Sequence, residues 1–310
     1  MGRIEEALRR AAENEDGGDR PTVPALPSPP ANDAFESPWS FNVPAGTPPS
    51  ATETAPGAEA APVSGRAAGN EPMALFRGFN RAIEERLVIG KGSPPLLAEQ
   101  FRRLAATLHH AQLLQKLKVI MITSANASEG KSLTAANLAL TLSESYRREV
   151  LLIDADLRRP SLHEVFQVPN VAGLNDGLQS NTEGQLCALK ITPTLTMLPA
   201  GRPDPDPMSG LTSNRMKHIL EEAQARFDWV ILDTPPIGLL ADASIVGTMV
   251  DGALLVVRAG QTPHAAVQKA VEKFGRERIL GVVLNDTETH PDDEAGARYY
   301  AHAIEPSKRS

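Results

Sequence analysis

The run from Val119 to Leu142 constrains the fold more than any other part of this 310-residue chain. An apolar segment, Val119-Ile120-Met121-Ile122, leads into Ser124-Ala125-Asn126-Ala127-Ser128-Glu129-Gly130-Lys131-Ser132, and Leu133 to Leu142 then reads as a helix. Strand, short loop ending Gly-Lys-Ser, then helix is the context that a phosphate-binding P-loop requires. The loop's backbone N–H groups and the helix N-terminus would supply positive potential for phosphate oxygens. Lys131 would reach the β- and γ-phosphates, and the Ser132 hydroxyl would hold Mg²⁺. Where the common pattern has its first glycine this chain has Ala125. If that position needs a positive φ, alanine costs on the order of 1 kcal/mol. The plain alternative is a Gly-Lys-Ser turn that joins strand to helix and binds nothing.

The formal charge of −7 leaves no basic field to hold nucleic acid. Cys187 is the single cysteine, which excludes an internal disulfide and suits a reducing, cytoplasmic setting. The longest apolar candidate for a membrane helix, Gly238 to Val257, is interrupted by Asp242, Ser244, Thr248 and Asp251, so no membrane span is expected. The N-terminus is charged from its third residue and reads as no secretory signal.

Four regions are expected. Residues 1–15 can form a short amphipathic helix with Ile4, Leu8 and Ala11 on one side. Residues 16–72 hold 12 of the 26 prolines and no apolar periodicity, which marks a disordered Pro/Ala-rich linker. Residues 73–290 form the folded domain, and residues 291–310 a mobile tail. Inside the domain, Ser93 is expected to cap a helix with Pro94 in its first turn, followed by Leu97, Phe101, Leu104 and Leu108 at helical spacing. Strands are expected at Val150 to Ile153, Thr194 to Leu198, Trp229 to Leu232, Ala253 to Val257 and Ile279 to Leu284. Helices are expected at Asn214 to Phe227, Ala243 to Val250 and His264 to Arg276. Aliphatic strands alternating with helices predict an α/β fold, a doubly wound and mostly parallel sheet of P-loop NTPase type covered on both faces.

Two of these strands end in acids. Asp154 and Asp156 follow Leu151-Leu152-Ile153, and Asp233 follows Trp229-Val230-Ile231-Leu232. Ligands of doubly wound sheets bind outside the carboxyl ends of the strands. All three acids should therefore face the crevice that holds Lys131, where Mg²⁺ takes hard oxygen ligands directly or through water. A single aspartate at such a place is ordinarily a loop cap; three in register with a P-loop are not so readily explained.

Asp154-Ala155-Asp156-Leu157-Arg158 with its aliphatic lead-in resembles the second Walker motif of the bacterial tyrosine kinases, or BY-kinases, of the MinD/ParA/Mrp group of P-loop ATPases. Asp233-Thr234-Pro235-Pro236 is similar to their Walker B. Further likenesses are Leu198-Pro199-Ala200-Gly201, Val257 to Thr262, and Gly281-Val282-Val283-Leu284-Asn285, so the resemblance runs from about Glu84 to Asn285. Arg3-Ile4-Glu5-Glu6-Ala7-Leu8 is similar to kinases of exopolysaccharide and exosortase-linked loci.

The resemblance implies ATP as donor, Mg²⁺ as cofactor and protein tyrosine as acceptor. It makes Lys131, Asp154, Asp156, Arg158 and Asp233 catalytic, with Asp154 either general base or ligand of a Mg²⁺-bound water. It places Ser132, Asp154, Asp156 and Asp233 around the metal, and Ser128, Glu129, Gly130, Lys131, Ser132, Leu133 and Asn285 on the nucleotide, Asn285 at adenine. The acceptors would be Tyr299 and Tyr300, with Tyr146 structural. The implied role is a tyrosine autokinase that regulates exopolysaccharide biosynthesis or export. It implies a homo-oligomer recruited to the inner face of the membrane by a polysaccharide co-polymerase.

The chain departs from the family in three places. The ring-forming Glu-x-x-Arg-x-x-Arg reads Glu99, Arg102, Ala105, and Ser128 stands where glycine is usual. The tail carries only two tyrosines. Alternatives are a MinD/ParA-type positioning ATPase, although Asn126 occupies that group's early second lysine, and an ATP-binding scaffold of an export system. The pair His109-His110 reads as solvated helix residues.

Overall fold

The computed structural model describes residues 78–89, 93–179 and 186–287. The expected helix of residues 1–15, the linker of 16–72 and the tail of 291–310 with Tyr299 and Tyr300 lie outside them.

Seven strands form one sheet in the order β3-β4-β2-β5-β1-β6-β7. They are β1 (Val119–Ser124), β2 (Val150–Asp154), β3 (Leu189–Lys190), β4 (Leu195–Leu198), β5 (Trp229–Asp233), β6 (Gly252–Arg258) and β7 (Ile279–Asn285). Every pairing is parallel except β3 with β4 at one edge. β1, β2, β4 and β5 are buried on both faces, which is why their sequences are near-continuous aliphatic runs.

Alternate residues of each strand feed two separate cores. Val119, Met121, Leu151, Ile153, Val230 and Leu232 pack with α5 (Met208–Leu211), α6 (Asn214–Arg226), α7 (Asp242–Gly247) and α8 (His264–Phe274). Ile120, Ile122, Leu152, Trp229 and Ile231 pack on the other face with α1 (Pro95–Gln115), α2 (Lys131–Glu144) and α3 (Leu162–Val165). Helix α4 (Leu174–Gln179) contributes Leu174 and Leu178 to the first core.

Helix α1 begins one residue later than expected, and Ser93 does not cap it. Pro94 is the N-cap, at φ −61° and ψ 125°. The cause is the second proline: a residue that precedes proline is driven out of the α region, so Pro94 stays extended and Pro95 opens the helix. The solvated histidine pair is corrected in half. His110 is exposed, but the His109 ring is half-buried 6.0 Å from the Tyr146 ring. The Tyr146 hydroxyl donates to the Arg102 carbonyl at 3.1 Å, a structural role as expected.

Ala105, at the place of the missing arginine, is fully buried within the α1–α2 core. Glu99 instead takes both Arg102 and Arg103, each at 3.3 Å. These pairs are exposed on the arginine side and contribute little to stability.

Candidate active site

Parallel strands place all their carboxyl ends on one edge, and this edge is cross-tied. The Thr123 hydroxyl donates to the Pro235 carbonyl at 3.0 Å, and the Thr234 hydroxyl to the Ile122 carbonyl at 2.9 Å. The backbone N–H of Ala155 donates to the Asp233 carbonyl at 2.8 Å, and that of Ile237 to the Ser124 carbonyl at 2.9 Å. The ends of β1, β2 and β5 therefore form one platform, with Asp154 and Asp233 as direct register partners.

The P-loop rises from this platform. Gly130 sits at φ 92°, and a Cβ there would meet Asn285 Nδ2 at 2.0 Å, so only glycine is accommodated. Ser128, where the family usually has glycine, is also left-handed, at φ 61°. Ala125 is not among the positive-φ residues, so alanine costs nothing there on that account. No side chain caps the start of α2, which leaves its first N–H groups facing the cleft for an anion.

Gly238 makes the close approach that shapes the loop from the opposite side: a Cβ there would come within 2.2 Å of the Ala125 carbonyl oxygen. Since that contact is backbone, Gly238→Ala should push the P-loop out of place. The expected result is a loss of about 1–3 kcal/mol in thermal unfolding together with weaker nucleotide binding. Unchanged values of both would mean that the Pro236–Leu239 turn, not the P-loop, absorbs the methyl.

A cleft of about 550 Å³ opens over the loop, lined by Ser128, Gly130, Lys131, Ser132, Leu133, Asp156 and Arg158 among others. Lys131 is only 8% exposed. Its charge lowers the pKa of both Asp156 and Asp233, so lysine and acids share one field.

The acids differ in how they are held. Asp154 is fully buried, and its Oδ2 accepts from the backbone N–H groups of Ser161 at 3.1 Å and Leu162 at 3.0 Å, while Oδ1 accepts from Asp156 N at 3.3 Å. Burial raises its pKa well above the usual carboxylate value, and the neighbouring Asp233 adds to the rise. Asp156 is also raised by burial, against the hydrogen bond it accepts from Arg159 N. Asp233 is fully buried, and no hydrogen bond of good geometry reaches either of its oxygens. Burial lifts it to about 7, opposed by Lys131 and by the nearby Ser132 hydroxyl. That hydroxyl also accepts from Ser161 Oγ at 2.6 Å.

Other expected site residues are placed differently from the simplest expectation. Arg158 lines the cleft, but Nε and Nη2 donate to Asp242 Oδ2 and Oδ1 at 2.5 and 3.3 Å, and Nη1 donates to the Pro205 carbonyl. Sequence reading missed Asp242, which opens α7 and is 2% exposed; nothing in its spacing links it to Arg158, 84 residues away. The Glu129 side chain is buried beneath the loop and does not line the cleft. Asn285 Nδ2 donates to the Glu129 carbonyl at 2.9 Å, bracing the loop from β7.

A parallel sheet with a Gly-Lys-Ser loop and acids at the ends of the neighbouring strands defines a P-loop NTPase. In keeping with this, a sequence profile described as ParA, NUBPL iron-transfer P-loop NTPase, matches residues 115–300. Tyrosine-protein kinase YwqD of Bacillus subtilis (strain 168) is 38% identical over 231 residues, 74% of this chain and 96% of that protein. Tyrosine-protein kinase wzc of Salmonella typhi is 32% identical over 227 residues, 72% of this chain but 31% of that longer protein. The kinase domain of Escherichia coli tyrosine kinase ETK aligns with a TM-score of 0.57 and 31% identity, over 62% of this chain and 76% of that one. The chain belongs to the bacterial tyrosine-protein kinases, ATP-binding members of the P-loop NTPases.

Proposed function

We propose that this protein is an ATP-dependent tyrosine autokinase that modifies Tyr299 and Tyr300 and regulates exopolysaccharide biosynthesis or export. The observation that carries the nucleotide part of this reading is the buried Asp233 carboxyl, without a well-formed hydrogen bond, beside Lys131 and Ser132. An orphaned acid in that position fits a cation–phosphate complex better than it fits a structural role. Among the described residues no three His, Cys, Asp or Glu side chains close on one point. One hydroxyl with nearby carboxylates suits Mg²⁺, which keeps waters and shares its coordination with phosphates: Ser132 would be its ligand, and Asp156 and Asp233 would hold its waters. When bound, that ion neutralises charge developing on the transferring phosphoryl group.

The chain's own groups do the rest. Lys131 and the N–H groups at the start of α2 orient the phosphates. Asp154, buried behind the cleft lining, is either the general base toward the tyrosine hydroxyl, whose unperturbed pKa is about 10, or the holder of a Mg²⁺-bound water. Its raised pKa narrows the gap to the phenol, and it can accept the proton only in its ionised form. Arg158, held by Asp242, lines the cleft and would assist with the phosphates or their acceptor.

The tyrosine-kinase names of the relatives support the acceptor, and the name of a Klebsiella pneumoniae relative, a tyrosine-protein kinase in the cps region, supports the pathway. A homo-oligomer and a membrane-bound polysaccharide co-polymerase as recruiting partner belong to the same proposal; no described helix is long and apolar enough to cross a membrane. The test is incubation with ATP and Mg²⁺ followed by phosphosite mapping by mass spectrometry. Phosphate is expected on Tyr299 or Tyr300. Hydrolysis without phosphotyrosine would make the chain a nucleotide-gated switch of the MinD/ParA kind, and binding without either activity would make it a scaffold.

A further inference from the structure

Glu129 is a carboxylate, 3% exposed, inside a loop that must receive anions. Placed without donors, such a group would be costly and would repel phosphate. Its oxygens are instead turned away and occupied. Oε2 accepts from Asn126 N at 3.0 Å, and Oε1 accepts from Asn126 Nδ2 at 3.3 Å and from Thr262 Oγ1 at 2.5 Å. The Asn126 donors belong to the P-loop itself; Thr262 lies 133 residues further along, in the turn between β6 and α8. That turn is firm, because Thr262 Oγ1 accepts from Arg258 N at 3.0 Å and Thr262 N donates to the Arg258 carbonyl at 3.0 Å. Since β6 pairs directly with β1, the hydroxyl is a strut between the sheet and the loop.

We propose that Thr262 is a positioning residue for nucleotide binding: its hydroxyl fixes the Glu129 carboxylate, and so holds Gly130 and Lys131 in the phosphate-binding conformation. This rests on the nucleotide site described above. Thr262 is only half-buried on a surface turn, so its hydroxyl adds little to global stability and its loss should be felt at the loop.

Thr262→Val keeps the shape and β-branching and removes the donor; Thr262→Ser keeps the donor. Binding of methylanthraniloyl-labelled ADP, the KM for ATP and the melting temperature without nucleotide separate the roles. Thr262→Val is expected to weaken nucleotide binding and raise the KM by roughly tenfold or more, as for a hydrogen bond to a charged group. Its kcat should fall as well, since Lys131 is displaced with the loop, while its melting temperature stays near that of the parent and Thr262→Ser binds within about threefold of it. Parental affinity in Thr262→Val overturns the inference. So does an equal loss in Thr262→Ser, or a Thr262→Val protein that does not fold. If the parent binds the ADP probe but makes no phosphotyrosine, the kinase reading fails while the binding comparison still decides the role of Thr262.

Discussion

Lys131→Met is expected to lower phosphotyrosine formation by at least about a hundredfold while the protein remains folded. The magnitude follows from the job: phosphoryl transfer is catalysed by positioning and charge neutralisation, and loss of one cationic or oxyanion donor at such a site costs on the order of 10² to 10⁵ in rate. Methionine matches the unbranched length of lysine and tolerates a tight environment, so the 8% exposed site should still pack. The charge loss also has a secondary effect. Lys131 opposes the upward shifts of Asp156 and Asp233, and without it both acids should hold their protons to higher pH. Quantitative phosphotyrosine detection, with circular dichroism to verify folding, checks this. A loss smaller than tenfold would remove Lys131 from the transfer step.

Asp233→Asn is expected to make the nucleotide-free protein more stable at pH 8 and to abolish transfer. In the unfolded chain this carboxyl ionises near its ordinary 3.8, and in the folded chain near about 7. Between those values the folded state holds a proton that the unfolded state has lost, so stability falls as pH rises from about 4 to about 7 and is level above. The stability conferred by the neutral carboxyl is thus present below pH 4 and gone at pH 8, where folding must carry a buried charge. Three pKa units correspond to about 4 kcal/mol; sharing of the proton with Asp154 reduces the gain on removing the charge to on the order of 2 kcal/mol. In a domain of this size that raises the melting temperature by about 4–8 °C. Asparagine also leaves buried polar atoms, but a neutral amide costs less than a carboxylate. At pH 4 the difference should shrink or reverse. Thermal melts at the two pH values decide it. A lower melting temperature at pH 8 would mean that protein contacts satisfy the carboxylate and that no cation is needed there.

Much of the fold was legible because parallel strands buried on both faces are aliphatic throughout. The strands at Val150 to Ile153 and Trp229 to Leu232 could be read directly, and the acids expected just past them, Asp154 and Asp233, are their last residues. The short helices Leu162–Val165 and Met208–Leu211 span about one turn, too few residues to show a 3.6-residue period. The two-residue β3 is equally silent, and it alone breaks the parallel order. At the site, residue types near the loop were readable, but the direction in which they point was not. Glu129 and Asn285 belong to the expected nucleotide set, yet the Glu129 carboxylate turns toward Thr262 and the Asn285 amide toward the P-loop backbone. Asp242 and Thr262 act through contacts 84 and 133 residues apart, which local spacing cannot carry. A cue was present at Ser128: a usual glycine position flags left-handed backbone, and the chain adopts it there with serine at φ 61°.

The most direct test of how lysine and acids cooperate is a crystal structure with Mg²⁺ and a non-hydrolysable ATP analogue. One metal ion should touch Ser132 Oγ and the terminal phosphates, with Asp233 on its water shell and Lys131 Nζ on the γ-phosphate. A metal-bound nucleotide seated with Asp233 still unpartnered and Lys131 turned from the phosphates would contradict the account.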